Sequence, residues 1–594
     1  MRLFFAPIAK LLYFFCIGLI PFSAVSQHSL HVHTAGDHPS IRAIDTAFHN
    51  GELSVDEAIL QKVYAGLKPE RLDARFMPED DIIIKCLTPL MAAYSNQKEK
   101  LAPSTIHEIN SILTEVQATS QQTQQHLSPS GNFLLIYDTE GVHAVPTEDS
   151  NGSGVPDYIE HAAFAADSSY RHQIETLGFR DFLQEEPYEI YFRNINSYGR
   201  TTSLGGTTTF ITVHSTFQPN FPPNTHPEGD VIGALYATIS HEIKHASQFA
   251  TSRWQGDSGS FNWIEMDATL MEDVVFPDVN DYYNYIKSGF EGSNPNNRSI
   301  FGNPQNATPG AYWHVSWMIY FYEQFGGEFF ADVWREFIED RQLPMFDAMQ
   351  RQLLPLDTSI EREHLKNHMW HMASGPEKAP ADFGFRDRIN YPNSSFSQSL
   401  AFTPDSLSSL FLQPMAATYV DVQPSNVNLG QPAIRVQSDV PGVLVGVLGY
   451  FRDGSTDFQL SSNPNTVSQI IQTTWSWSSL VDMSIAIVNT NREERAEYNL
   501  VVTSVLPEED SISQNYPNPF NSSTNITFSL TENKNVRVDV HDSAGRKIQT
   551  LVNEPLNQGF HSIQFNGSGL ASGVYFYRII TDQNVTTRKM VLLK

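Results

Sequence analysis

The chain of 594 residues has only two cysteines, Cys16 and Cys86, so a disulfide framework is excluded. Cys16 falls in a segment expected to be removed, which leaves one thiol and no internal disulfide in the mature protein. Positive charge is also scarce, with 38 Lys and Arg against 66 Asp and Glu, a formal net charge of −28. Such a surface argues against a nucleic-acid partner and keeps a protein soluble outside cells. Long apolar runs are lacking after residues 11–22, and that run is too short to span a bilayer. It follows Arg2 and Lys10, and Ala24 and Ser26 put small residues at the −3 and −1 positions before Gln27. Residues 1–26 therefore read as a secretory signal peptide, with no transmembrane segment elsewhere. Cys16 is not preceded by small residues, which argues against a lipoprotein anchor.

What the chain does contain is His241-Glu242-Ile243-Lys244-His245. Residues four apart lie on one helix face, so both imidazoles can meet one metal ion while Glu242 stands beside them. The preceding residues 232–240 carry apolar side chains at 232, 235, 236 and 239 without proline, which places the motif in the middle of a buried helix. A catalytic zinc takes three protein ligands and an open position for water, whose proton a nearby carboxylate must accept. Glu242 is the expected base.

The motif needs a third ligand to acquire meaning. Residues 263–273 are rich in helix formers and follow a loop at 256–260, long enough to reverse the chain. Glu265, 20 residues after His245, suits a second helix antiparallel to the first, with small Ala268 allowing close approach. Glu272, two turns on, is an alternative ligand or a partner for a histidine. The extension to a third histidine is absent, because Gln248 and Thr251 occupy its positions.

Residues 185–340 resemble gluzincin zinc metallopeptidases (two His plus one Glu), and more closely a family of secreted bacterial metalloproteases. The resemblance rests on the 241–245 helix, Trp263-Ile264-Glu265, Met271-Glu272-Asp273, Asp281-Tyr282-Tyr283 and Tyr312-Trp313. It implies a zincin-like α+β fold, a zinc cofactor and peptide-bond hydrolysis. Met266-Asp267 departs from the small residues expected after the glutamate. Tyr282, Tyr283, Tyr312 and His314 are candidates for stabilising the oxyanion, and core packing serves each of them equally well.

A second cation is expected upstream. Counting Asp149 as position 1 of a twelve-residue loop, Asp149, Asn151, Ser153, Asp157 and Glu160 supply oxygens at 1, 3, 5, 9 and 12. Gly154 stands at 6 and Val155 offers its carbonyl at 7, which matches a calcium loop with a structural role. Pro156 at 8 departs from the helix-loop-helix form and suggests a helix starting near Asp157.

The organisation that emerges is multidomain. Residues 27–125 read as a helical N-terminal region, a propeptide or a supporting domain, ending in a Gln/Ser/Thr linker at 119–125. Cys86, among isoleucines and a leucine, reads there as a buried core residue, the alternative being a thiolate that caps the zinc. Residues 126–398 form the catalytic domain. Within it, 188–192 and 207–213 read as strands, the second as the sheet edge that would pair with substrate. An aromatic helix follows at 311–322, with a glycine stop at 326–327 and further helix to about 374. Residues 399–507 suggest a β-sandwich, and 508–594 a small all-β, Ig-like domain. The last segment, from Gln514-Asn515-Tyr516-Pro517-Asn518-Pro519-Phe520-Asn521 to its basic terminal strand, closely resembles the type A sorting domain of the type IX secretion system. That resemblance implies passage through the periplasm and outer membrane to the surface or beyond. The expected partners are a protein or peptide substrate and the secretion machinery, with the chain a monomer. The alternative to a protease is a calcium-stabilised surface or adhesion protein whose zincin-like domain is inactive.

Overall fold

The computed structural model describes residues 32–33, 38–78, 83–115, 117–118, 123–205, 207–218, 221–251, 261–291, 299–300, 312, 314–401, 405–424, 430–582 and 584–594. The expected signal peptide, Trp313, the 256–260 loop and most of the expected linker lie outside them.

The N-terminal region places β1 (Val32–His33), α1 (Pro39–His49), α2 (Val55–Leu67), β2 (Ile83–Cys86), α3 (Thr88–Gln97) and α4 (Pro103–Glu115) in order. Helix α2 starts on a capping box, because Ser54 accepts from Glu57 N while Glu57 accepts from Ser54 N. Strands β3 (Thr123–Leu127), β4 (Phe133–Asp138), β5 (Tyr188–Arg193), β6 (Ser197–Gly205) and β7 (Thr208–His214) follow, with α5 (Asp157–Tyr170) between β4 and β5. One mixed sheet contains all seven strands in the order β1-β2-β6-β7-β5-β4-β3. Its central strands β4, β5 and β7 run parallel, and their nearly continuous apolar runs suit burial on both faces.

Three expectations are corrected here. The N-terminal region is not purely helical, because β1 and β2 join the sheet through the parallel pairing of β2 with β6. The boundary at 125/126 falls inside β3, whose pairing with β4 makes residues 123–125 sheet rather than linker. Residues 207–213 are not the edge, since β7 lies between β6 and β5 with a neighbour on each side. The helix at Asp230–Ala250 lies against both β6 and β7, and β2 covers the outer side of β6.

Helix α6 (Asp230–Ala250) carries the histidine motif and is buried at every residue from Gly233 to Phe249. A helix enclosed on all sides needs neighbours all round, and α6 packs on β6 and β7 on one side and on α5 and α7 (Phe261–Val275) on the others. Small side chains allow this, and Gly199 marks a close approach of β6 to α6. A Cβ there would meet Thr238 Cγ2 at 2.7 Å and Glu242 Oε1 at 3.1 Å. Helices α8 (Tyr283–Glu291), α9 (Val315–Phe325), α10 (Glu328–Glu339), α11 (Met345–Leu353) and α12 (Ile360–Met372) build a second, aromatic core against α7. Helix α9 ends at Gly326, whose φ of 86° is left-handed, as the glycine stop predicts.

Beyond α12 the chain is β-rich. Strands between Gln398 and Val505 form two sheets of five and four strands around Val445, Trp477 and Ile485. Leu365 and Met369 of α12 pack against Leu444 and Ala486, so this sandwich shares a core with the helices before it. Residues 511–592 form a further pair of sheets, of three and four strands, around Phe520, Val538 and Tyr577. Among the described residues no helix is long and apolar enough to cross a membrane.

Candidate metal centre

Helices α6 and α7 run side by side, and the three expected ligands meet between them. His245 Nε2 lies 3.0 Å from His241 Nε2 and 3.1 Å from Glu265 Oε1, and His241 Nε2 is 3.5 Å from Glu265 Oε2. Cys86 joins them from β2, with its Sγ 3.4 Å from His245 Nε2. The four donor atoms lie within 4.8 Å of one another, and all four residues are buried. Ligands held about 2.0–2.3 Å from one zinc ion in a tetrahedron stand roughly 3.3–3.7 Å apart, close to the separations found here.

The surrounding hydrogen bonds fix which way the imidazoles face. His241 Nδ1 donates to Glu272 Oε1 at 2.7 Å, so Glu272 is the histidine's partner rather than a ligand. His245 Nδ1 donates to Gln248 Oε1, also at 2.7 Å. The Gln248 amide is oriented in turn, because its Nε2 donates to Ile264 O and to Asp267 Oδ2. With both Nδ1 protons committed outward, both Nε2 atoms point lone pairs at the same space. Glu265 Oε1, also facing that space, accepts no hydrogen bond. A buried carboxylate oxygen beside two imidazole lone pairs is a donor set that could hold a cation.

Without a metal, a proton must take its place. Burial pulls the His241 pKa down most strongly, yet the bonds and charges of Glu265 and Glu272 outweigh it and raise the pKa to about 10. Burial likewise pushes Glu265 up, and His245 and His241 overcome it, holding the carboxyl at about 2. Burial, then the charges of Glu242 and Glu265, push the Cys86 thiol well above its ordinary range. The residues therefore fit zinc, which takes thiolate, imidazole and carboxylate together.

Glu242, the expected base, is beside the cluster and fully engaged. Its Oε1 accepts from Cys86 Sγ at 3.3 Å, and its Oε2 accepts from Thr88 Oγ1 at 3.0 Å and Thr201 Oγ1 at 2.8 Å. Of the four oxyanion candidates, Tyr312 reaches the site, donating to Glu265 Oε2 at 2.8 Å. Tyr282 pairs instead with Tyr391, Tyr283 packs on the same ring, and His314 stands just before α9.

Reading Cys86 as a core residue captures its burial and misses its contacts. Lys85, beside it on β2, was also missed: its Nζ donates to Glu272 Oε2 at 2.8 Å and to Asp281 Oδ2. Thr88, Thr201 and Asp267 carry no sequence signal for their roles. Gln248 could have been found, three residues from His245 on the same helix face. Asp267, the departure noted after Glu265, binds Gln248, Trp334 Nε1 at 2.8 Å and Lys244 at 3.1 Å.

The 149–160 loop is exposed and turns through Gly152 and Gly154, both at positive φ. Asp149 accepts from the N–H groups of Ser153 and Gly154, Asn151 accepts from Ser153 N, and Asn151 Nδ2 donates to Glu160. Positions 1, 3, 5 and 12 are thus gathered, while Asp157, in the first turn of α5, turns to Ser150, and Val155 O accepts from Ser153 Oγ. Among the described residues, its carboxylates do not converge as the buried four do.

At the other end of the chain the 514–521 motif is tied into its domain. Asn515 Nδ2 donates to Thr524 Oγ1 at 2.9 Å, and Phe520 N bonds Val591 O on the last strand. Residues 514–593 match the family described as the secretion system C-terminal sorting domain. The chain is a type IX secretion cargo. It is exported to the cell surface or released beyond it, and its C-terminal domain is what the secretion machinery recognises.

No curated protein matches the chain. Among solved structures it has weak likeness to PorZ, a surface component of the type IX system of Porphyromonas gingivalis, at 17% identity over 18% of this chain and 14% of that one, TM-score 0.12. Dimeric latent PorU of the same organism gives 15% identity over 32% and 20%, TM-score 0.12. A β-glucuronidase of Faecalibacterium prausnitzii gives 10% over 30% and 36%, TM-score 0.11. The chain thus spans at most a fifth of the length of the two secretion-system proteins.

Proposed function

We propose that this cargo is a zinc metalloendopeptidase of gluzincin type, built on a zincin-like domain whose sheet takes in β3 from Thr123. The observation that carries the reading is the convergence of His241, His245 and Glu265, with both imidazole Nδ1 atoms already hydrogen-bonded outward. Bound there, zinc would polarise a scissile carbonyl and bring the pKa of water near neutrality. Glu242 takes the proton of the attacking water and returns it to the leaving amine. Glu272 and Gln248 hold the histidine rings, and Tyr312 holds Glu265. The 149–160 loop binds calcium and fixes the start of α5, a structural role supported by the gathering of Asp149, Asn151, Ser153 and Glu160.

A second reading has one observation in its favour. Cys86 fills the fourth position, and four protein ligands around zinc mark a structural site, as expected of a surface or adhesion protein with an inactive domain. Incubating the mature protein with a mixed peptide library, with and without a zinc chelator and alongside Glu242→Gln, separates the two. Chelator-sensitive cleavage that Glu242→Gln abolishes while keeping one zinc per chain supports the peptidase; comparable cleavage by Glu242→Gln refutes the assignment of the base.

A further inference from the structure

We propose that Cys86 is the fourth metal ligand of the uncleaved chain and that the N-terminal region, residues 38–118, holds the site latent. The inference rests on the peptidase reading above and deepens it. Three independent contacts of one short segment carry it.

The first is the thiol. Its Sγ stands 3.4 Å from His245 Nε2, in the position where hydrolysis requires a water. As the sulfur–metal bond forms, the S–H bond breaks and the proton leaves, with Glu242 Oε1 the nearest acceptor at 3.3 Å. The second is the general base. With the thiol's proton on Oε1 and Thr88 Oγ1 bonded to Oε2, Glu242 has no place to take a proton from water.

The third is the main chain. Strand β2 pairs in parallel with β6, setting Ile84 opposite Ser197 and Cys86 opposite Gly199. Leu87 N bonds Gly199 O at 3.2 Å, and Thr201 N donates to Thr88 Oγ1 at 2.8 Å. An extended peptide substrate would use these same β6 groups by strand addition. Residues 84–88 thus lie where a substrate would lie, with a sulfur in place of the scissile bond. Lys85 locks the segment by bonding Glu272 and Asp281 on the far side of the cluster. Removing or displacing the segment would free the fourth ligand position, the base and the sheet edge together.

Expressed from residue 27, the chain has Cys86 as its sole thiol, which makes the test specific. Loaded with one cobalt(II) ion, it should show thiolate-to-cobalt charge-transfer absorption, and an aromatic disulfide should label the thiol only after chelation. Cys86→Ser should still bind cobalt without that band, with affinity lowered by more than the roughly 10–100-fold that loss of an outer hydrogen bond costs. Intact Cys86→Ala, still covered by β2 and with Thr88 on Glu242, should stay as silent as the parent, and both should cleave peptides only once the N-terminal region is removed. Cobalt binding without the band, together with a freely labelled thiol, overturns the ligand assignment and leaves the peptidase reading standing. Cleavage by the metal-loaded parent before the N-terminal region is removed overturns latency and leaves the peptidase reading standing, whereas a metal-loaded chain that stays inert after its removal overturns the peptidase reading while the ligand assignment survives. Failure to bind any metal overturns the site itself.

Discussion

Replacing Lys85 with methionine tests how firmly the N-terminal strand is fixed. Lys85 is 2% exposed, and its partners Glu272 and Asp281 are equally buried. Its ammonium bonds Glu272 Oε2 at 2.8 Å, Asp281 Oδ2 and Tyr285 OH at 3.3 Å. Methionine keeps the length of the side chain and deletes the charge, which leaves two carboxylates facing one another in a dry site. Glu272 retains His241 Nδ1, while Asp281 keeps only Tyr285 OH at 2.8 Å. Removing one member of a buried ion pair costs about 3–5 kcal/mol, because the orphaned charge stays out of water. That corresponds to a rise of about 10² to 10⁴ in the population in which β2 is undocked. Hydrogen exchange at the amides of residues 83–88, with limited proteolysis of the N-terminal region, reads this directly. The double variant Lys85→Met/Asp281→Asn should recover part of the loss by removing the orphaned charge. Unchanged exchange at 83–88 in Lys85→Met would refute the reasoning, and equal loss in the double variant would show that packing rather than charge sets the cost.

Further outcomes follow from the same contacts. Glu272→Gln and Gln248→Leu should each lower metal affinity by about 10–100-fold in a competitive chelator titration, since each frees an imidazole to rotate. Burial, which disfavours the charged imidazolium, lowers the His214 pKa to about 4, against 6.5 when unfolded. The unfolded chain binds more protons between these values, so this contribution of about 3 kcal/mol is complete above pH 6.5 and is lost as the pH falls toward 4. Exchange at the β7 amides should therefore accelerate on acidification, and less so in His214→Gln; identical profiles would exclude His214 as the cause. Calcium at about 100 times its dissociation constant should stabilise the protein by about 2.7 kcal/mol in thermal unfolding, and Asp149→Ala should remove the increment.

Much of the site is written in local spacing. His241 and His245 share a face because a helix repeats every 3.6 residues, and the apolar positions before them declare that helix buried. Glu265 could be chosen because an antiparallel helix pair returns the chain after a predictable length, and Glu272 came with it on the same face. The sorting domain is carried by a contiguous motif, which a sequence displays whole.

Cys86 and Lys85 are of another kind. They stand more than 150 residues from the groups they touch, on a four-residue strand that pairs in parallel with β6. Parallel pairing joins distant segments and leaves no turn or spacing to announce it. A thiol among isoleucines therefore looks the same whether it fills a core or faces a metal. That β7 lies inside the sheet, and that β2 covers β6, is equally non-local, since both follow from pairings between segments far apart in the chain. The amino-acid sequence determined the helices that carry His241, His245 and Glu265, and the route of export. Only the tertiary structure decided that a strand from the N-terminal region lies across the site, because that contact is made by chain crossing space rather than by residues following one another.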